Sequence, residues 1–292
     1  MSSPVETRRK LRVFLRAWRY NEGNESQDGM WRWMKRFSVE VDGQAVRIYE
    51  QPSADGQTVV FLHGVGSTGK VWAYQMRGLK ACGRMLAVEV PGFSGVGELP
   101  ETIRELSDLA PFVLRVLDAA GVRDAVWVGN SLGGRIALEA ALCAPQRVRG
   151  LVLVGSAGVR LPGVEVPRLA DLPQEEMDRR LFCQPELFHA LQTEQSREAT
   201  SQARALYDRL AAVTRTMDLR ERLSEVQAPT LVIWGRHDGV IPLPIGEKVA
   251  SGIAGAELLV LDRSAHVPQI EQPERVLDAI LRFLGKFGEQ AE

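Results

Sequence analysis

The chain has 292 residues, 45% of them hydrophobic and 25% charged, which is enough apolar material for one substantial domain with a large core. Its net charge of −1 gives no general attraction to nucleic acid, and three widely spaced cysteines (Cys82, Cys143, Cys183) supply neither a disulfide framework nor a zinc site. No apolar run reaches transmembrane length and the N-terminus lacks the apolar stretch of a signal peptide, so cytoplasmic residence is the expectation.

Residues 1–36 open with a basic helical pattern. Arg8, Arg9, Lys10, Arg12, Arg16 and Arg19 accompany an apolar stripe of Leu11, Phe14, Leu15 and Trp18. Such a stripe docks weakly on an anionic membrane surface, on a partner or second copy, or packs across its own domain. Asn21 to Gly29 reads as a polar linker, and Trp31, Trp33, Met34 and Phe37 lead into a hairpin of Phe37–Val41 and Ala45–Tyr49 around an Asp42-Gly43 turn.

From there strand-like runs recur at 58–62, 84–90, 125–129, 150–154, 230–234 and 257–262. All but one pair are separated by helix-like segments, which is the mark of an α/β chain with a doubly wound, mostly parallel sheet. The first run ends in Phe61-Leu62-His63-Gly64. Its loop, Gly64 to Lys70, satisfies the G-x-x-x-x-G-K part of a phosphate-binding loop, but Val71 stands where a Ser or Thr hydroxyl would hold magnesium.

The run Ala125–Val128 leads directly into Gly129-Asn130-Ser131-Leu132-Gly133, a G-x-S-x-G nucleophile elbow. A strand that turns at once into a helix strains the turning residue and crowds its Cβ, so the positions two before and two after it need glycine. Gly134 adds a third small residue, and Ile136, Ala137, Ala140, Ala141 and Ala144 continue at helical spacing until Pro145.

A serine hydroxyl at neutral pH needs a base, itself oriented by a carboxylate. Of the four histidines, His63 reads as a brace for its own loop and His189 as an ordinary helix position. His237 sits beside Asp238, and His266 lies on a loop past the last strand, where a base belongs. In the chain order Ser, Asp, His the acid is Asp238, just beyond the strand Thr230–Gly235. Asp262 and Glu271 are its rivals by proximity to His266; Asp262 reads as the last residue of its strand and Glu271 as a solvated loop charge. Pro268 and Pro273 discourage helix until about Glu274. The oxyanion donors expected are the backbone N–H groups of Leu132 and Val65, with Gly64, Gly66 and Gly69 letting the loop approach a substrate.

The interval from Gly155 to Val226 is too long for a loop alone and carries helix-like stretches near 174–182, 185–191 and 201–213. It reads as a lid whose Leu161, Leu169, Leu181, Phe182, Leu187 and Phe188 face either a substrate cleft or a small core of their own.

Five segments together resemble the α/β-hydrolase fold superfamily: His63-Gly64, Val90-Pro91-Gly92-Phe93-Ser94-Gly95, Gly129 to Gly134, Trp234 to Asp238 with Ile241-Pro242, and Ser264 to Pro268. The resemblance covers residues 37–287 and implies an eight-strand-type sheet with its active site at the carboxyl edges of the strands. It also implies a core of residues 37–155 and 227–292 with a helical cap at 156–226. Asn130 before the nucleophile is similar to bacterial hydrolases that cleave ring-fission dienones at a carbon–carbon bond. Those enzymes usually carry Trp after the catalytic histidine, where this chain has Val267, and their oxyanion loop is richer in Gly and Pro. A serine in the elbow sets the chain apart from haloalkane dehalogenases and epoxide hydrolases, which use a carboxylate nucleophile.

The expected chemistry is acyl transfer by Ser131, His266 and Asp238 on a small-molecule ester, thioester or lactone, with no metal or organic cofactor. Carbon–carbon cleavage is the alternative within the enzymes. A receptor that keeps the fold and closes its lid on a ligand is the alternative outside them.

Overall fold

The computed structural model describes residues 33–53, 56–186, 194–215 and 217–288. The basic helix and linker expected before Met30, together with Trp31, Leu187, Phe188 and His189, lie outside them.

Eight strands form one sheet: β1 (Lys35–Val41), β2 (Gln44–Gln51), β3 (Val59–Leu62), β4 (Met85–Val88), β5 (Ala125–Asn130), β6 (Val148–Val154), β7 (Thr230–Gly235) and β8 (Glu257–Leu261). Their order is β1-β2-β4-β3-β5-β6-β7-β8, with the β1–β2 and β2–β4 pairs antiparallel and the rest parallel. The hairpin thus adds an antiparallel edge to the doubly wound parallel sheet read from the alternating pattern. Since β1 begins at Lys35, the last two residues assigned to the N-terminal extension belong to the sheet.

Every residue of β5 is buried because both faces of the sheet are covered. Side chains alternate across a strand. Trp127 points into the core beneath α2 (Leu109–Ala119) and α3 (Leu132–Cys143), while Val126 and Val128 enter the opposite core with Trp72, Met76, Ile280 and Phe283. That second layer is supplied by α1 (Ala73–Gly78) and α8 (Pro273–Gly288). The run expected at 84–90 forms strand only to Val88, since Glu89 and Val90 leave the sheet for the side-chain bonds of the site loop.

Between β6 and β7 lies the long insertion, with α4 (Gln174–Leu181) and α5 (Glu194–Val213), the latter longer than the 201–213 stretch read from the pattern. Its last part belongs to the core: Leu219 and Leu223 are buried, and Leu223 lies against Gly252 at the end of α6 (Leu243–Gly252). Contrary to expectation, Pro268 does not defer the helix. It opens the short α7 (Pro268–Glu271), where a first-turn residue needs no N–H partner and the fixed φ of proline suits the helix. No helix among the described residues is long and apolar enough to cross a membrane.

Candidate active site

The centre of the sheet delivers a strained serine. β5 stops at Asn130, α3 starts at Leu132, and Ser131 between them has φ 55° and ψ −115°. A Cβ on Gly129 would stand 2.2 Å from the carbonyl oxygen of Gly133, and one on Gly133 would stand 2.3 Å from that of Leu62. Both positions are therefore closed to any side chain, as the crowding argument requires. The Ser131 N–H donates to the Val154 carbonyl at 3.0 Å, and its carbonyl accepts from Arg135 and Ala157, so the turn is bonded on both sides.

His266 and Asp238 come together as read from chain order. Nδ1 of His266 lies 2.8 Å from Oδ2 of Asp238, with the residues 3% and 6% exposed. A carboxylate can only accept, so Nδ1 carries the proton, and in the neutral ring the lone pair is on Nε2. The other carboxylate oxygen, Oδ1, accepts the N–H groups of Val240 and Ile241 at 2.9 and 2.8 Å, which fixes the orientation of the acid.

Asn130 serves the same assembly. Its Nδ2 donates to the carbonyls of Val154 at 2.9 Å and of His266 at 3.1 Å, tying the strand before the serine to the loop of the histidine. Gly155, at φ 50°, passes so close that a Cβ there would sit 3.2 Å from Asp238 Oδ2 and 3.3 Å from His266 Nδ1. Nothing in its local sequence announces that role.

The two rival acids separate. Asp262 follows the end of β8 rather than closing it, and is exposed in a 2.6 Å pair with Arg236. Glu271 was read as a solvated charge and is the opposite: it is 8% exposed, at the end of α7. Its carboxylate accepts the N–H of Ala265 at 2.6 Å and that of Cys183 at 2.8 Å. Burial pushes its carboxyl up to about 7, against the pull of those two amides. His237 is exposed and contributes its backbone, donating to the Ser264 carbonyl.

His63 lies at the root of its loop. Wholly buried, it has Nδ1 2.8 Å from the Gly64 carbonyl while Nε2 accepts the Val90 N–H at 3.0 Å. This needs the neutral ring, and burial accordingly pulls its pKa down. Glu89, also buried, accepts the Gly69 N–H at 3.0 Å and fixes the far end of the loop. The break that Glu89 makes in the apolar run before it was the available signal. Of the two expected oxyanion donors, Val65 stands in the loop after β3 and Leu132 opens α3 directly after Ser131. The loop is not a phosphate cradle: a short 3₁₀ turn, Gly69–Trp72, stands where the long phosphate-facing helix would start, and Lys70 lies over the Tyr49 ring at 5.8 Å.

Ser131 forms part of the wall of a cavity of about 700 Å³. Leu161, Leu169, Tyr207 and Ala211 of the insertion face it, with Val240 and Ile241 from the loop of Asp238. Leu161, Leu169 and Leu181 all pack on the main core, and Leu181 is not part of the cavity wall. Behind the site, Arg135 and Glu139 form a buried 2.6 Å pair one turn apart on α3, and Arg135 also donates to the Met217 carbonyl.

The sequence model of the alpha/beta hydrolase family matches residues 59–279. A 2-hydroxy-6-oxononadienedioate/2-hydroxy-6-oxononatrienedioate hydrolase of Paraburkholderia phymatum is 32% identical over 276 residues, covering 86% of this chain and 96% of the relative. A pimeloyl-[acyl-carrier protein] methyl ester esterase of Vibrio vulnificus is 28% identical, covering 82% and 98%. Among solved structures, an N-acyl homoserine lactone degrading enzyme is similar with TM-score 0.69 at 27% identity, covering 85% of this chain and 100% of that one.

Proposed function

The chain belongs to the alpha/beta hydrolase family, and on that premise we propose that it is a serine hydrolase cleaving a carboxylic ester, thioester or lactone of a small, largely apolar substrate through an acyl-enzyme. The observation that carries the reading is the 2.8 Å His266–Asp238 pair, tied through Asn130 to the turn of a strained Ser131 that helps to wall a cavity.

Ser131 attacks the substrate carbonyl while Nε2 of His266 takes its proton. Asp238 holds the imidazole in the Nδ1–H tautomer and stabilises the cation formed. The N–H groups of Val65 and Leu132 receive the charge that builds on the carbonyl oxygen. His266 then returns the proton to the leaving alcohol or thiol, or to the ring-opened hydroxyl of a lactone. Water, deprotonated by the same nitrogen, releases the acid and restores the serine. The cavity would be roofed by the insertion acting as a cap, whose Leu161, Leu169 and Tyr207 select the acyl group.

Ser131→Ala should lower kcat on the order of a millionfold, by analogy with other triads. A fluorophosphonate should label Ser131, and wild-type turnover in the variant would sink the assignment. Labelling without turnover across an ester, thioester and lactone panel would favour a receptor.

A second reading, hydrolysis of a carbon–carbon bond in a dienone ring-fission product, draws on the dienedioate hydrolase relative and on Arg160 and Arg168 beside the cavity, which offer cations to an acidic substrate. Val267 in place of the usual Trp speaks against it. Turnover of a dienone diacid faster than of any ester in the panel would decide for it.

A further inference from the structure

Residues 180–183 of the insertion and Glu271 of α7, distant in sequence, converge on the loops that carry Asp238 and His266. The Gly239 N–H donates to the Arg180 carbonyl at 3.2 Å, and Arg180 Nη1 donates to the Gly239 carbonyl at 3.0 Å. The His266 N–H donates to the Leu181 carbonyl at 3.1 Å. Glu271 closes the set from below, taking the Ala265 N–H on one oxygen and the Cys183 N–H on the other.

We infer that Glu271 is a positioning residue whose buried carboxylate clamps the His266 loop to the insertion, so that the base is aligned only while both amides are held. The inference rests on His266 being the base of the proposed hydrolase. A neutral glutamine or glutamic acid can accept one N–H at its carbonyl oxygen, but its NH₂ or O–H meets the second N–H donor to donor. The clamp is therefore a property of the ionised side chain. The ionisable groups that face it are Asp238, which opposes its charge, His266, which favours it, and the thiol of Cys183, itself pushed up to about 11 by burial and by Glu271. With the Glu271 carboxyl poised at about 7, alignment of the base falls away as the medium becomes acid.

The test is the rate of fluorophosphonate labelling of Ser131 against pH, in the full chain and in Glu271→Gln. The wild type should lose rate below about pH 7 with one proton more in its dependence than the variant, which should be slower by about tenfold at pH 8, the size expected for a small misplacement of the base. Equal rates and equal steepness would overturn the inference. Amide exchange in the wild-type protein gives a second readout that needs no folded variant: protection of Ala265 and Cys183, corrected for intrinsic exchange, should fall together below about pH 7. Constant protection from pH 5.5 to 8.5 would refute the clamp. Absence of any labelling in the wild type would instead defeat the serine hydrolase reading, leaving exchange to judge the clamp.

Discussion

Replacing Gly155 with alanine perturbs the triad without touching any of its members. The added Cβ would stand 3.2 Å from Oδ2 of Asp238, 3.2 Å from the His266 carbonyl oxygen and 3.3 Å from His266 Nδ1. Each separation is a few tenths of an ångström inside ordinary contact, so the acid and the base must both give way. Since they are held to each other at 2.8 Å, they shift as a unit and their placement relative to Ser131 changes. A misplacement of about 1 Å costs roughly a hundredfold in rate, so a few tenths should cost about tenfold in kcat. Alanine at φ 50° adds about 1–2 kcal/mol of backbone strain, which lowers Tm by a few degrees. KM should hold, because Gly155 does not line the cavity. Gly121→Ala is the matched control: φ is 72° there, with nothing within 4 Å of the new Cβ, so it should share the loss of Tm and keep kcat. Steady-state kinetics and calorimetry on the two variants make the comparison. If Gly155→Ala loses stability no more than Gly121→Ala and retains full kcat, the packing argument for the triad is wrong.

In Asp238→Asn, the side-chain oxygen stays on the Val240 and Ile241 amides, the NH₂ faces His266, and the imidazole is forced into the wrong tautomer; kcat should fall about ten-thousandfold with the fold intact. Arg135→Ala strands Glu139, whose carboxyl burial already pushes upward, and should cost about 3 kcal/mol in urea unfolding, whereas Arg135→Met with Glu139→Leu should recover most of it. Glu271 gives a stability signature of the opposite sign to its proposed effect on rate. Its folded pKa is raised from 4.5 to about 7, so the native state holds the proton longer than the unfolded chain and stability drains away as pH rises through that window. The full effect is about 3 kcal/mol. Glu271→Gln should therefore gain on the wild type between pH 4.5 and 7, and a pH-independent difference in unfolding midpoint would show that the carboxyl is not perturbed.

Much of this was legible in the chain because it is local. The elbow needs small residues at fixed offsets from Ser131, the wholly buried β7 reads as an unbroken apolar run with Asp238 just past its end, and the apolar run of the edge strand β8 leads to His266. Glu271 was misread for a physical reason: in sequence it stands among prolines and polar residues, and its burial is created by residues 180–183, nearly ninety positions away, laid over it. Gly155 was invisible for the same reason, since its neighbours come from the loops after β7 and β8. That Leu161 and Leu169 line the cavity and Leu181 does not also depends on how the insertion lies on the sheet, which helical spacing cannot express.

Two sets of the insertion's residues that bear on the site are separable. One set looks into the cavity, with Leu161, Leu169 and Tyr207 among it; the other, residues 180–183, is bonded by its backbone to the loops of Asp238 and His266. Within the second set only the Arg180 guanidinium bond depends on side-chain identity, so the set can be carried unchanged into a graft while the first is varied. Shuffling whole insertions between relatives would disturb both at once and confound altered selectivity with lost turnover. A library confined to the cavity-facing positions, with the 180–183 junction and Glu271 retained, would be the cleaner route to a new substrate range.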